Sequence, residues 1–277
     1  MSNAREANLF FRKTGNNGTP IIIIHGLYGS SDNWMTVARK LSETNLIYCI
    51  DQRNHGRSPH FSEHNYNAMS NDLLHFMEEQ QIGKAIIMGH SMGGKTAMRF
   101  AADHPELVEQ LLVIDICPKD YMALGENSQI HQHQHILETL LELQHLRHSF
   151  SSRQEVVDFL ELKLDSKELV LFLSKSIPWD REKSTFDLRL NVEVLYDNLD
   201  EIINGVNELN LIGKTENLPF KVDFIRGLNS PYIGNNDLPL IKRLYPSAQI
   251  IDIPHAGHWL HAEQPSLFLD AVKTLIS

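Results

Sequence analysis

Gly89-His90-Ser91-Met92-Gly93 is the stretch of this 277-residue sequence best suited to covalent chemistry. It matches G-x-S-x-G, with the apolar run Ala85–Met88 before it and a helical pattern, Lys95–Asp103, after it. The glycines follow from the tightness of such a turn. A side chain at Gly89 or Gly93 would collide with neighbouring backbone, and Ser91 must take a strained backbone conformation. Ser91 would then stand clear of the chain, beside a helix N-terminus whose free N–H groups favour negative charge. A Gly-rich strand-to-helix turn can match five residues by chance, so the reading depends on partners elsewhere in the sequence.

A serine hydroxyl is a weak nucleophile and needs a positioned base. Three histidines follow the last apolar run, Gln249–Ile253. His258 comes after a glycine turn and before an apolar Trp-Leu, as expected of a loop facing the nucleophile. His255 lies nearer the run and His261 nearer the final helix, and both read as structural. Negative charge growing on a carbonyl oxygen needs two aimed N–H groups. Met92, next to the nucleophile, supplies one. Leu27 supplies the other from His25-Gly26-Leu27-Tyr28-Gly29, where the glycines let a substrate approach the backbone. His25 is a weaker alternative as a catalytic group, because turn geometry explains the His-Gly pair. The base also needs an acid. The turn after Val222–Ile225 carries Asn229 and Ser230 but no carboxylate. Asp115 ends the run Leu111–Ile116, and a lone Asp in an apolar strand is costly to bury unless paired. Asp115 is therefore the first choice and Asp237 the fallback. Tyr28 and Trp259 are expected to line the substrate pocket, with Met92 and residues of the segment after Lys119.

These residues need a scaffold, and the apolar runs describe one. Ile21–Ile24, Leu46–Ile50, Ala85–Met88, Leu111–Ile116, Val222–Ile225 and Gln249–Ile253 are continuous rather than alternating, as a parallel sheet covered on both faces requires. Helical stretches fit between most of them: Trp34–Leu41, Met69–Gln80, Lys95–Asp103, Leu238–Leu244 and Ser266–Ile276. The alternation predicts a doubly wound, mostly parallel α/β fold. Between Lys119 and Gly213 it breaks down. There Ile136, Leu137, Leu140, Leu141, Leu143 and Leu146 repeat at helical spacing, Ser152–Glu155 and Asp165–Glu168 read as capping boxes, and Asn191–Gly205 is amphipathic. The expected organisation is a core of residues 1–118 and 218–277 with a helical cap at 119–217.

The motifs together resemble one family. His25-Gly26, Asp51–Pro59, Gly89–Lys95, Gly227–Tyr232 and Gly257–Glu263 are similar to the bacterial YbfF-type esterases of the α/β-hydrolase superfamily, over roughly residues 18–120 and 218–277. The order Ser91, Asp115, His258 is the order of that fold. The missing acid after the penultimate strand is shared with the family, whose acid follows the earlier strand, at the position of Asp115. The resemblance implies a serine carboxylesterase that cleaves acyl esters or thioesters through an acyl-enzyme, without cofactor or metal. The same scaffold also serves C–C hydrolysis, lyase and perhydrolase chemistry, and a non-catalytic ligand receptor could keep the fold. Ser91 excludes the dehalogenase and epoxide-hydrolase reactions, which need Asp at that position.

Composition narrows the partners. Apolar residues make up 42% and charged residues 22%, an ordinary globular balance. A net charge of −10 argues against nucleic acid or an anionic membrane surface. Residues 1–13 lack the apolar stretch of a signal peptide, and no run approaches 18 apolar residues, so a membrane span is not expected. Cys49 and Cys117 read as core hydrophobes in a reducing compartment, and a cytoplasmic enzyme acting on a small molecule is the expectation. Oligomeric state is not legible. His131 and His135 could share one helical face, but a solvated helix explains them better than a metal site, as it does His133. Arg53, Asn54 and His55 read as loop stitching. Lys95, a cation in the first turn of a helix, has no account at this level.

Overall fold

The structure, a computed structural model, describes residues 6–121, 128–183 and 185–276. The β-branched runs form strands because each side chain can be buried on one face or the other of a covered sheet. In chain order these are β1 (Phe11–Thr14), β2 (Pro20–Ile24), β3 (Leu46–Ile50), β4 (Ala85–His90), β5 (Val108–Ile114), the two-residue β6 (Trp179–Asp180) and β7 (Thr185–Phe186), β8 (Lys221–Gly227) and β9 (Gln249–Ile253). Seven make one sheet in the order β1-β3-β2-β4-β5-β8-β9, and β6 pairs with β7 apart from it. Every pair in the large sheet is parallel except β1 with β3. The strand order reverses between β2 and β4, and ligands in such sheets bind outside the carboxyl ends at the switch point. The loop carrying Leu27 leaves β2 there, and Ser91 leaves β4 beside it.

Helices α1 (Met35–Leu41), α2 (Tyr66–Glu79) and α3 (Met92–Asp103) belong to the first half of the chain. Between β5 and β8 come α4 (Ser128–His145), α5 (Arg153–Lys163), α6 (Lys167–Leu173), α7 (Val192–Asp197), α8 (Leu199–Asn204) and α9 (Glu208–Leu211), and α10 (Leu238–Leu244), α11 (Leu260–Glu263) and α12 (Pro265–Ile276) follow β8. Alternate strand positions feed two apolar clusters. Ile21, Ile23, Met88 and Leu112 pack with α1 and α12, while Ile22, Ile24, Ile87 and Val113 pack with α2, α3 and α10. The second cluster runs on into α4 and α5 through Leu137, Leu140, Leu143 and Leu160, all of them fully buried. The inserted helices thus share apolar packing with the sheet.

The differences from the sequence reading have local causes. Strand β1 was not anticipated, because Phe-Arg-Lys-Thr is a half-buried edge without a continuous apolar run. Strand β5 lies earlier than the run Leu111–Ile116, because the chain turns at Asp115, where φ is +49°. Helix α6 is capped by Ser166, which accepts from the Leu169 N–H, rather than by Asp165. Ser152 caps α5 through the Glu155 N–H as expected. The Asn191–Gly205 pattern divides into α7 and α8 at Asn198.

Candidate active site

The Ser91 turn is as tight as its sequence requires. Ser91 has φ +53° and ψ −122°, a conformation L-residues seldom adopt. A Cβ on Gly89 would lie 2.2 Å from the Gly93 carbonyl oxygen, and one on Gly93 would lie 2.4 Å from that of Ile24. Only glycine fits at either place. Ser91 caps α3, its carbonyl accepting from the Gly94 and Lys95 N–H groups. Among the described residues neither the Met92 N–H, at the head of α3, nor the Leu27 N–H has an acceptor. Unpaired N–H groups at a helix N-terminus favour an anion.

His258 and Asp115 meet across 143 residues of sequence. The His258 Nδ1–H donates to Asp115 Oδ2 at 2.7 Å, which leaves Nε2 free to act as a base. The Asp115 side chain is fully buried and hydrogen-bonded at both oxygens, since Oδ1 accepts from the Gly227 N–H at 3.1 Å and Oδ2 also accepts from the Ser230 hydroxyl. The turn after β8 therefore contributes a hydroxyl to Asp115. Asp237, the fallback, lies elsewhere: its carboxylate holds Lys119 Nζ at 2.7 Å and the Gly234 N–H at 2.8 Å. His25 is committed to structure, donating from Nδ1 to the Gly26 carbonyl and accepting at Nε2 from the Gln52 N–H. His261 stacks on Trp34 with centroids 4.2 Å apart, and burial pushes its pKa down to about 3. His255 is exposed on a turn, with φ +58°.

Ser91 and His258 open onto one cavity of about 290 Å³, which Tyr28 and Trp259 also line. Ile136 of α4 and Leu169 and Phe172 of α6 face it from the inserted segment, and Phe172 packs 5.3 Å from Trp259. A second chamber of about 30 Å³ also reaches Ser91, lined by Met92, Lys95, Ile116 and Ile203. The Met92 side chain belongs to this smaller space rather than to the main pocket.

Two residues at the site were not singled out from the sequence for any catalytic role. Tyr232 stacks its ring on His258, with centroids 3.9 Å apart at 22°. His133, expected to be solvated, instead turns inward and lies between the hydroxyls of Tyr28 and Tyr232, 3.1 Å from each. Burial pushes its pKa down to about 4, so the imidazole is neutral at pH 7. Its spacing in α4 carried a signal: His133 lies three residues before Ile136 and four before Leu137, which puts it beside the apolar face.

The sequence's open cases also resolve. Lys95 is buried, and its ammonium crosses from α3 to the end of α8, donating to the Ile203 carbonyl at 2.5 Å and to that of Lys119 at 3.5 Å, 5.1 Å from the Tyr121 ring. Desolvation lowers its pKa to about 7. Carbonyls at a helix C-terminus suit a cation, so Lys95 pins the inserted segment to the Ser91 helix. The 51–59 loop does stitch neighbours together. Arg53 forms a buried two-point ion pair with Asp72, the Asn54 carbonyl accepts from the Asn191 N–H at 3.0 Å, and His55 Nε2 accepts from the Tyr28 N–H at 3.3 Å. Cys49 and Cys117 are buried and unpaired. Among the described residues no helix is long and apolar enough to cross a membrane.

Known proteins share this fold. The sequence profile of the α/β-hydrolase fold matches residues 19–265. Esterase YbfF of Escherichia coli K12 is 33% identical over 264 residues, 94% of each chain. An sn-1-specific diacylglycerol lipase of Danio rerio is 32% identical over 280 residues, covering 100% of this chain and 84% of its own. A solved structure described as a marine microorganism esterase superposes with a TM-score of 0.89 at 38% identity, over 97% of this chain and 99% of that one. The chain belongs to the α/β-hydrolase family and, within it, is similar to the YbfF esterases.

Proposed function

We propose that the protein is a serine carboxylesterase working through an acyl-enzyme. His258 Nε2 takes the Ser91 proton as the serine oxygen attacks the ester carbonyl. The Leu27 and Met92 N–H groups hold the oxyanion, whose charge they meet without reorganising. The imidazolium, paired with Asp115, then protonates the leaving alcohol or thiol, and water repeats the cycle on the acyl-enzyme. The observation that carries this reading is the His258–Asp115 bond at 2.7 Å, made from the far side of a ring that shares a cavity with the strained Ser91 elbow.

The cavity supports an acyl substrate. Ile136, Leu169, Phe172 and Trp259 offer apolar surface to an acyl chain of an ester or thioester, with the Tyr28 ring among them. Ester substrates agree with the names of the relatives, an esterase and a diacylglycerol lipase. We assign the core to residues 1–118 and 218–277 and the substrate-selecting cap to 119–217. Tagging with a fluorophosphonate and locating the adduct by peptide mass spectrometry tests the nucleophile. The label is expected on Ser91 and absent from a folded Ser91→Ala variant, which should also lose ester hydrolysis. Wild-type turnover surviving in that variant would place the nucleophile elsewhere.

A further inference from the structure

We infer that Tyr232 is a positioning residue for His258, and that His133 of the inserted segment holds it in place. The inference rests on His258 being the base. A bond from Nδ1 to Asp115 fixes one atom of the imidazole but not the tilt of the ring, because the outer torsion of a histidine is broad. The His90 Nε2–H, which donates to the His258 carbonyl at 2.8 Å, holds the backbone and leaves the ring plane open. The flat face of Tyr232 supplies the missing constraint. A π-face over a ring that becomes a cation also stabilises that cation.

Tyr232 is itself held at both ends. Its N–H donates to the Ser230 hydroxyl oxygen at 3.3 Å, and its carbonyl accepts from the Tyr121 hydroxyl at 2.7 Å. The tip of the ring depends on α4. One tautomer satisfies all three groups there: the Tyr232 hydroxyl donates to His133 Nε2, the His133 Nδ1–H donates to the Tyr28 oxygen, and the Tyr28 hydroxyl donates to the His133 carbonyl at 3.4 Å. Tyr28 adjoins Leu27. One imidazole of the inserted segment thus steadies the base on one side and the oxyanion loop on the other. A plain pocket wall would need neither the stack on His258 nor a partner for each hydroxyl.

The test uses p-nitrophenyl acetate, whose short acyl group makes little use of the pocket walls. Tyr232→Leu should lower kcat about 10-fold with KM within about twofold, the scale of losing a desolvated cation–π contact together with the ring's alignment. The acidic limb of the kcat/KM profile should move to lower pH, because the imidazolium loses a stabilising face. The other groups facing His258 are unchanged in that variant: Asp115 at Nδ1, His90 with its ring 4.6 Å away, and His133 and His261, which burial keeps neutral. Tyr232→Phe and His133→Leu each cut one end of the same bond, so each should lose a few-fold in kcat and the double variant should be no worse than the poorer single one. A wild-type kcat and pH profile in Tyr232→Leu, a loss confined to KM, or multiplying losses in the double variant would overturn the inference. His258→Ala, assayed alongside, separates the two readings. If it stays active, the base is elsewhere. If it is inactive while Tyr232→Leu behaves as wild type, only the positioning role fails.

Discussion

Replacing Asp115 by Asn changes one atom, and the structure says which one. Oδ1 accepts from the Gly227 N–H, a group that can only donate, so the amide oxygen must stay on that side. The amide nitrogen therefore takes the place of Oδ2, facing the Ser230 hydroxyl and His258 Nδ1. Ser230 can rotate and accept. His258 can accept only by moving its proton to Nε2, the atom that must take the proton from Ser91. The charge is lost as well. Two unit charges 4 Å apart attract by about 4 kcal/mol at an effective dielectric of 20, about 10³-fold in rate. The same change in a serine protease triad costs ~10⁴ in kcat through the wrong tautomer. The expected loss for Asp115→Asn is therefore ~10³ to ~10⁴ in kcat. Asp237→Asn, which disturbs only the Lys119 and Gly234 contacts, should stay within about tenfold of wild type. Both are to be assayed on p-nitrophenyl butyrate with folding checked by circular dichroism. A folded Asp115→Asn protein within tenfold of wild type, or a crippled Asp237→Asn protein, would refute the reasoning.

Three further outcomes are expected. Across p-nitrophenyl esters from acetyl to octanoyl, kcat/KM should rise with each methylene buried against Phe172 and Trp259, by up to ~0.8 kcal/mol or about fourfold a step; a flat series would mean the pocket is not apolar toward the acyl chain. Stability should fall as pH drops below about 6.5, because His64, His133 and His261 are held neutral in the fold, at about 3, 4 and 3, so the unfolded chain binds more protons across that window. His261→Phe should therefore lose less melting temperature between pH 7 and pH 5 than wild type, and an equal loss would count against the assignment. Leu140→Ala, at a fully buried site in α4, should cost about 2–5 kcal/mol in urea unfolding, and a loss under about 1 kcal/mol would show that α4 is loosely seated.

The tight turn at Ser91 was legible because its causes are local. A turn that excludes side chains at Gly89 and Gly93 writes glycine into the sequence, and a sheet buried on both faces writes continuous β-branched runs. His258 stood out for the same reason, by its place after the last run. What lay beyond reach depends on which segments become neighbours. The sequence favoured Asp115 over Asp237 through the cost of burying a lone carboxylate; the pairing of β5 with β8 puts Asp115 against Gly227 and Ser230, while the turn of the chain carries Asp237 to Lys119. Lys95 looked misplaced at a helix start until α8 folded over it and offered the Ile203 carbonyl. The edge strand β1 takes its order from its antiparallel pairing with β3 rather than from its own pattern. His133 and Tyr232 stand 99 residues apart, and the hydrogen bond between their side chains joins two separate segments. Local sterics are written residue by residue and can be read that way, whereas a hydrogen bond between distant segments exists only once the apolar clusters have brought them together, so Ser91 belonged to the sequence and its surroundings to the fold.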